Sequence, residues 1–463
     1  MVANVLGRTS FGESLLSELP SALASTVAPN GATPVKLCDG MLILPLHGPY
    51  PCDSFMLPAN CPLSRDDATM LGWWLVTASH DVTDVNMSGN PLTGGQTYRG
   101  TPIDGKDISR VCAMFPVMTR VVKLNVSNCG LGPTAMLELA KLVRDARAAL
   151  ASLNLSGNSL TGATARHGDA ANYGWENFDS EMAGFIALCA VLGRLTEVNL
   201  SDCHLGPTST GELAKVFSDA EAALKKVTLS QNKLFGASEY GNHTIDADQS
   251  GWAALCDALP GSPVEELDVA DVGMGVKGVT SLAKAMSAGA ALARVSVLSN
   301  PIGADGADAL IQVFEQNTNL RTLLGIEEGV TEVNLSKKNV DPGQAKILAA
   351  ELKASRATAV VKKVVLSKNF LFGSKLKHGN WGDPVHDIDA EQSGWSALCD
   401  ALPSSAVEEF IVVDIGMGVT GVTSLAKAIS SMAVLTSVNC LQNPLGDEGL
   451  ATLVTAVEAS SVG

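Results

Sequence analysis

Apolar residues recur along this chain in a pattern that joins one extended segment to one helix. Within residues 195–217, Val198 and Leu200 alternate with polar residues, which is typical of a strand. Leu213 and Phe217 then follow at helical spacing. The pattern therefore predicts a strand, a turn and a helix in succession.

The same unit recurs through most of the sequence. Copies that keep its register begin at Val82, Val121, Leu150, Leu195, Leu224, Val264, Leu292, Val330, Val361, Val407 and Leu435. Neighbouring strands lie as little as roughly 28 residues apart, which leaves room for a helix between them. We expect parallel strands lined by helices, because one such unit alone cannot bury its apolar face.

The copies match the leucine-rich repeat pattern LxxLxLxxN/CxL, as in LTEVNLSDCHL from Leu195. Their length resembles the ribonuclease-inhibitor-like class, which includes the Ran GTPase-activating proteins and the repeat domains of NLR-type immune receptors. The resemblance covers the chain from about Ser64 onward. It implies an α/β leucine-rich repeat solenoid, a right-handed horseshoe with a parallel inner sheet and outer helices.

The distribution of repeats divides the chain into three segments. Residues 1–64 are rich in Pro, Gly and Ser and are expected to cap the first repeat strand. Residues 65–326 carry a first block of repeats, and residues 327–463 carry a second. The apolar spacing predicts the first helix over residues 65–77.

The second block is in large part a copy of the first. Residues 224–314 reappear at 361–457, with a length difference confined to one polar insertion. Leu323 and Val333 are too close to enclose a helix, so two strand-like segments meet at a seam between the blocks. We interpret the blocks as one continuous solenoid, with two separately capped domains as the alternative.

Composition and charge exclude several kinds of partner. The 463 residues are 46% hydrophobic and 5% aromatic, with a formal net charge of −16. Nucleic acids and anionic membranes require clustered Lys and Arg, so neither is expected as the main partner. We find no apolar run long enough for a transmembrane helix and no secretory signal pattern, and we expect a cytoplasmic protein.

The cysteines predict buried thiols. Cys129 and Cys203 occupy a position after the strand that Asn fills in other copies, namely Asn90, Asn158, Asn232, Asn300, Asn369 and Asn443. A second set recurs on the apolar face of predicted helices: Cys112, Cys189, Cys256 and Cys399. Nearly all ten are expected to be reduced, and Cys52 with Cys61 is the one candidate pair.

Two stretches imitate a dinucleotide-binding motif. Residues 273–278 and 416–421 both read GxGxxG between a predicted strand and helix. The repeat register places Met274 and Met417 in the leucine position after the turn, and no ribose-binding acid follows at the required distance. We therefore interpret both stretches as repeat turns.

Acidic residues precede a Gln-Ser-Gly-Trp sequence in two insertions: Asp246, Asp248, Asp387 and Asp389. We expect them to cap the following helix, where carboxylates face the positive end of the dipole. The neighbouring histidines fit no metal-binding spacing. No cofactor is predicted, and a metal in the insertions stays an open alternative.

Four long insertions leave from the same point of the repeat, after residues 95, 163, 237 and 374. They are expected to project from one edge, which we call the rim. The chain's scarce aromatic residues concentrate there. Candidate partner-binding residues are Tyr98, Arg99, Tyr173, Trp175, Phe178, Tyr240, His243, Trp381 and His386. The sequence allows two roles for these side chains, namely binding to a partner and packing between loops.

The inner face of the predicted sheet is the competing surface. One outward column of residues is largely alternating in charge: Asp84, Lys123, Ser152, Glu197, Lys226, Glu266, Arg294, Glu332, Lys363, Glu409 and Ser437. Strands about 4.8 Å apart would bring these side chains within reach of one another. We predict that the column neutralises itself and that the rim carries the binding function.

Two function classes follow. No Ser-His-Asp or Cys-His arrangement emerges, so no catalytic residue is predicted. The preferred hypothesis is a non-enzymatic scaffold that holds a protein partner through its rim loops, with membership of a larger assembly left open. The alternative, implied only by the family resemblance, is a GTPase-activating regulator of a small GTPase. No residue of that family's site carries over.

Overall fold

The computed structural model describes most of the repeat region. The described residues are 35–37, 42–44, 53–58, 60–61, 63–77, 82–94, 97–98, 101–102, 106–145, 150–166, 174–380, 384–386 and 388–460.

The helices within these ranges are α1 (Arg65–Thr77), α2 (Ser109–Met114), α3 (Pro133–Asp145), α4 (Ala183–Leu192), α5 (Pro207–Phe217), α6 (Ser250–Ala258), α7 (Val276–Ser287), α8 (Gly303–Gln316), α9 (Pro342–Ala354), α10 (Ser393–Ala401), α11 (Val419–Ile429) and α12 (Gly446–Ala459). Helix α1 has the bounds predicted from the sequence. Ser64 and Asp67 cap it reciprocally, each side chain accepting a hydrogen bond from the other's backbone N–H.

The strands are short. They are β1 (Val35–Leu37), β2 (Leu42–Leu44), β3 (Ser54–Met56), β4 (Asp84–Asn86), β5 (Thr97–Tyr98), β6 (Thr101–Pro102), β7 (Lys123–Asn125), β8 (Ser152–Asn154), β9 (Thr164–Ala165), β10 (Trp175–Glu176), β11 (Glu197–Asn199), β12 (Lys226–Thr228), β13 (Glu266–Asp268), β14 (Arg294–Ser296), β15 (Glu332–Asn334), β16 (Lys363–Val365), β17 (Ser374–Asn380), β18 (Pro384–His386), β19 (Glu409–Ile411) and β20 (Ser437–Asn439).

The chain forms two compact units. Unit 1 comprises residues 1–205 and 221–224, and unit 2 comprises residues 206–220 and 225–463. In unit 1, strands β3, β4, β7, β8 and β11 pair in parallel in that order. Strand β3 belongs to the segment expected to cap the repeats, and it covers the edge of β4.

Unit 2 contains two runs of parallel strands. Strands β12, β13 and β14 pair in order, and β15, β16, β19 and β20 form a four-stranded sheet. Helices α7 to α12 follow the strands and each packs on the next. Successive repeat strands are thus parallel and flanked by helices, which confirms the predicted fold class.

The apolar positions of the repeat form the core. Val198, Leu200 and Leu205 are fully buried, and so are Leu213 and the equivalent residues of most other copies. The largest fully buried side chains include Trp252 and Trp395, whose rings lie 5.5 and 5.3 Å from Phe235 and Phe372. The two tryptophans at the Gln-Ser-Gly-Trp sequences are therefore core residues.

In four repeats an asparagine side chain, buried in three of them, binds the repeat before it. The Asn158 side-chain oxygen accepts hydrogen bonds from the Cys129 and Leu131 N–H groups at 3.0 and 2.9 Å. Its amide nitrogen donates to the Val126 carbonyl at 2.9 Å. Asn300, Asn369 and Asn443 repeat this arrangement.

Cysteine takes the asparagine position in two of the intervening repeats and keeps only a donor bond. The Cys129 thiol donates to the Met87 carbonyl, and the Cys203 thiol donates to the Leu155 carbonyl. A thiol is a weak donor and cannot accept as an amide oxygen does. The Leu92 N–H of the preceding repeat donates instead to the Cys129 backbone carbonyl at 3.0 Å, so this bond needs no side-chain acceptor.

The cysteine prediction is wrong for Cys112. Cys129, Cys189, Cys203, Cys256 and Cys399 are buried thiols, as predicted. Cys112 is exposed, because Val111 and Met114 take the inward positions of the short helix α2. Cys61, a member of the candidate pair, is disulfide-bonded, and Cys52 lies outside the described residues.

The seam between the copied blocks interrupts the sheet of unit 2. Thr322 and Leu324 make isolated bridges to β14, and β15 then opens the next sheet a few residues later. Two strand-like segments therefore follow one another without a helix, as predicted. Helices α8 and α9 nevertheless pack together across the seam.

A buried carboxylate supports the interrupted strand at the seam. Glu351, on α9, accepts hydrogen bonds from the Leu323 and Leu324 N–H groups at 2.6 and 3.0 Å and from the Thr322 hydroxyl. These N–H groups face the place where a neighbouring strand would supply carbonyl oxygens. Burial raises the pKa of Glu351 to about 7, although the same hydrogen bonds favour its charged form.

Candidate functional site

All four insertions fold back on themselves through antiparallel pairs. Strands β5 and β6, β9 and β10, and β17 and β18 form hairpins in three of them. Ala237 and His243 make an antiparallel bridge in the remaining one. The paired positions include four candidate residues, namely Tyr98, Trp175, His243 and His386.

Two of the hairpins are fastened to the next repeat by an aspartate. The Asp246 carboxylate accepts hydrogen bonds from the N–H groups of Gly275, Lys277 and Gly278 at 2.9, 2.7 and 3.0 Å. These groups begin helix α7. A helix leaves its first N–H groups without acceptors inside the helix, and the Asp246 carboxylate supplies these acceptors. The carboxylate also faces the positive end of the helix dipole.

The second copy repeats this contact. Asp389 accepts from the N–H groups of Gly418, Thr420 and Gly421, at the start of α11, at 2.9, 2.8 and 3.0 Å. A Cβ on Gly418 would lie 2.6 Å from the Asp389 Oδ2 atom, so glycine is needed for the close approach. The two GxGxxG stretches are therefore helix starts that already hold a carboxylate from the same chain.

A separate acid at the end of three insertions caps the helix that follows directly. Asp107, Asp248 and Glu391 accept hydrogen bonds from the N–H groups two residues further on. Hydrogen bonds to Ser109, Ser250 and Ser393 lower the pKa of these three carboxyl groups. Of the predicted caps, Asp248 caps the helix that follows it, whereas Asp246 and Asp389 cap a helix one repeat further on. In the second copy the helix that follows is capped by Glu391, which was not predicted.

Trp175 and Phe178 pack on a turn of unit 1. The Trp175 ring lies 4.0 Å from the His204 ring with 32° between their planes, and the Phe178 ring lies edge-on to it at 6.2 Å. His204 is buried, while both aromatic side chains stay partly accessible. These two candidates therefore serve at least in packing the hairpin against the turn of the next repeat.

Tyr240 and His243 occupy the hairpin tip and base in unit 2. Tyr240 is 59% exposed, the most accessible aromatic side chain among the described residues. His243 Nε2 lies 3.2 Å from Asp271 Oδ1 and 3.1 Å from Lys233 Nζ. The hydrogen bond from His243 lowers the pKa of Asp271. His243 thus belongs to a local polar cluster, and Tyr240 is largely exposed.

The five remaining candidate residues are described in part or not at all by the structure. Arg99, Tyr173 and Trp381 lie outside the described residues, as does Asp387. For Tyr98 and His386 the backbone alone is described.

The inner column of charges pairs with itself in unit 2. Glu266 lies 3.6 Å from Lys226 and 3.7 Å from Arg294. Lys363 lies between Glu332 and Glu409, at 3.6 and 3.8 Å. These partly exposed pairs contribute little to stability. They do show that the part of the column in unit 2 is largely neutralised by its own neighbours.

Sequence reasoning missed two exposed aliphatic residues beside the capping aspartates. Ile245 precedes Asp246 and is 49% exposed, and Ile388 precedes Asp389 and is 56% exposed. Both insertions contain the sequence Ile-Asp-Ala followed by an acid. An aliphatic residue shared by two otherwise different polar loops was the available signal.

Among the residues that the structure describes, no three His, Cys, Asp or Glu side chains are grouped so that they could hold a metal. The described helices also include none with the length and apolarity needed to cross a membrane.

Fold and sequence pattern together define a leucine-rich repeat protein. No protein-family model matches the sequence. The chain is similar to NACHT, LRR and PYD domains-containing protein 5 of Bos taurus, at 24% identity over 263 residues and 56% of this chain. It spans about a fifth of the length of that relative, 20%.

A solved structure also resembles this chain. It is an internalin from Listeria monocytogenes, with a TM-score of 0.37, 12% sequence identity, and coverage of 98% of this chain and 91% of that one.

Proposed function

We propose that this chain is a non-enzymatic interaction scaffold of the ribonuclease-inhibitor-like class, which holds a protein partner through the hairpins of its rim. The observation that carries the proposal is the anchoring of the hairpins. Asp246 and Asp389 each bind three backbone N–H groups of the next repeat, so the loops are presented in a fixed geometry. A surface fixed before binding loses less conformational entropy when a partner docks.

The charge of the inner face supports the same choice. Lys226, Glu266 and Arg294 are already paired, so this column has little unbalanced charge with which to attract a partner. On the rim, the Tyr240 side chain is 59% exposed. Tyrosine is among the residues that most often anchor protein interfaces.

Quantitative affinity purification from the native cell tests the proposal. The Tyr240→Ala variant should fail to capture the partner proteins that the wild-type protein captures, because the substitution removes an exposed interface anchor. The double variant Lys226→Ala, Glu266→Ala should retain them, because it removes a self-paired column. The reverse result would place the binding surface on the inner face. A hydrolysis assay with a panel of small GTPases would detect the alternative regulatory role.

We propose the cytoplasm as the compartment. Cys256 and Cys399 of unit 2 support this proposal, because both are buried free thiols at equivalent positions of the copied blocks. Free cysteines are typical of a reducing compartment, since an oxidising one favours disulfides. The disulfide at Cys61 is the one feature that favours an oxidising compartment. Fractionation of the native cell would decide between them.

A further inference from the structure

The rim of unit 2 carries the same exposed apolar pair twice. Ile245 and Val276 are 49% and 43% exposed, and their counterparts Ile388 and Val419 are 56% and 37% exposed. In the first pair, Ile245 Cγ2 lies 2.8 Å from where a Cβ on Gly275 would stand, which places it beside Val276. The Ile388 side chain has the same relation to Gly418, at 2.7 Å.

Each pair is held in a fixed position. The residue after each isoleucine is the aspartate whose carboxylate binds the start of helix α7 or α11. Each valine is the first residue of that helix. The two aliphatic side chains of a pair are therefore attached to one anchored junction.

Folding of the repeat does not explain these side chains. Helices α3, α5 and α9 begin with proline at the position of Val276, which suits a helix start without exposing an aliphatic chain. The two insertions differ in length and in most of their residues, yet both retain the isoleucine. Exposed apolar side chains that recur at one site are typical of a binding surface.

The flanking charges indicate the chemistry of the occupant. An exposed carboxylate, Asp248 or Glu391, lies three residues after each isoleucine. Their hydrogen bonds to Ser250 and Ser393 lower the pKa of both groups, so both are negative at neutral pH. Lys277 is exposed beside Val276, but the second copy has Thr420 there, so the carboxylate is the charge that both points share. A ligand complementary to both points would therefore combine an aliphatic side chain with neighbouring Lys or Arg.

We propose that these pairs are two equivalent docking points for a protein partner that carries the same short motif twice, an aliphatic side chain flanked by basic residues. The proposal rests on the proposed function and specifies the partner for that rim. Helices α7 to α11 pack in succession, so the points are four interhelix steps apart. At about 8–10 Å a step, the separation is roughly 30–40 Å.

Two synthetic peptides test the proposal directly. One carries a single Lys-Leu-Lys motif, and the other carries two such motifs joined by about 40 Gly and Ser residues, a length whose average span matches the separation. The tandem peptide should bind wild type at least about tenfold more tightly than the single one, because its second contact is intramolecular.

Variants locate the two contacts. Ile245→Thr and Ile388→Thr should each reduce the tandem peptide to the affinity of the single peptide, and the double variant should bind neither. Ile186→Thr is the matched control, since Ile186 is 45% exposed on helix α4 and has no such junction. It should leave both affinities unchanged, and thermal melts should show that every variant is folded.

Equal affinities for the two peptides, or an Ile245→Thr variant that behaves like Ile186→Thr, would overturn the proposal. If the peptides fail to bind while Tyr240→Ala still loses the native partner, the docking points are wrong and the proposed function stands. If the peptides bind as expected but Tyr240→Ala retains the native partners, the proposed function is the part that fails.

Discussion

Two carboxylates of unit 2, Asp246 and Glu351, both accept hydrogen bonds from backbone N–H groups but differ in how deeply they are buried. Asp246 lies at a helix start, where three N–H groups and the helix dipole stabilise its charge. Glu351 also accepts backbone N–H groups, but it is fully buried, and the loss of solvation outweighs those hydrogen bonds. Asp246 therefore anchors a loop, while the pKa of the buried Glu351 is raised to about 7.

The buried Glu351 predicts a pH dependence of stability. Its pKa rises from the ordinary 4.5 to about 7, so between these values the folded state binds a proton that the unfolded state lacks. The free energy of unfolding should therefore fall as pH rises from about 4.5 to 7, by roughly 3 kcal/mol, and then level off. Chemical denaturation at several pH values measures this slope.

Glu351→Gln isolates the effect. Glutamine keeps an oxygen for the Leu323 and Leu324 N–H groups but cannot ionise, so the variant should lose this part of the slope and be the more stable form at pH 8. Glu315→Gln, an exposed change on helix α8, is the control and should keep the wild-type slope. Equal slopes in wild type and Glu351→Gln would show that Glu351 does not titrate in this range.

The anchoring aspartates give a second prediction at this scale. Asp246→Ala leaves the first N–H groups of α7 without a partner, so it should lower the free energy of unfolding by roughly 1–2 kcal/mol, as other helix-cap losses do. Amide hydrogen exchange at Lys277 and Gly278 should accelerate. Asp257→Ala, an exposed change on α6, should affect neither. Unchanged protection at Lys277 would rule out the anchor.

Among the elements, three pairs of helices pack through the same contact between a glycine and a proline carbonyl. Gly184, Gly251 and Gly394 lie in the first turns of α4, α6 and α10, and a Cβ on each would collide with the carbonyl of Pro133, Pro207 or Pro342. Each proline begins the preceding helix of the pair. The absence of a side chain therefore lets the two backbones approach directly.

This contact predicts an unusual sensitivity to one methyl group. Gly251→Ala should lower the free energy of unfolding by roughly 1–3 kcal/mol, because backbone atoms must move to admit the Cβ. Gly261→Ala is the matched control, since nothing lies within 4 Å of its Cβ position. It should be neutral or slightly stabilising in the same thermal melts. Equal melting temperatures for the two variants would mean that the helices can separate without cost.

The elements also show where prediction from sequence succeeds. Helix α1 and the repeat strands follow from apolar periodicity, because burial of one face decides their position. The insertions carry no such periodicity, so their hairpins were not predictable. The contact of Asp246 with Gly275 spans 29 residues and depends on how two repeats stack. A local pattern could suggest a cap there, but not which helix it would cap.

At the scale of the whole molecule, burial divides the cysteines into classes with different reactivity. Desolvation raises the pKa of Cys129 to about 12 and also raises that of Cys203, Cys256 and Cys399. The thiolate is the reactive form, so these residues should be inert in the folded protein. Cys112 is exposed and should react first.

Thiol titration across the whole chain tests this division. The folded protein should react quickly at Cys112, and the five buried thiols should react only when the chain unfolds without reductant. Cys61 should stay unreactive until a reductant is added, because its sulfur is in a disulfide. Mass spectrometry of labelled peptides assigns each site, and Cys112→Ser, which should remove only the fast phase, is the control. Fast labelling of Cys256 in the folded state would contradict its burial, and labelling of Cys61 without reductant would contradict its disulfide.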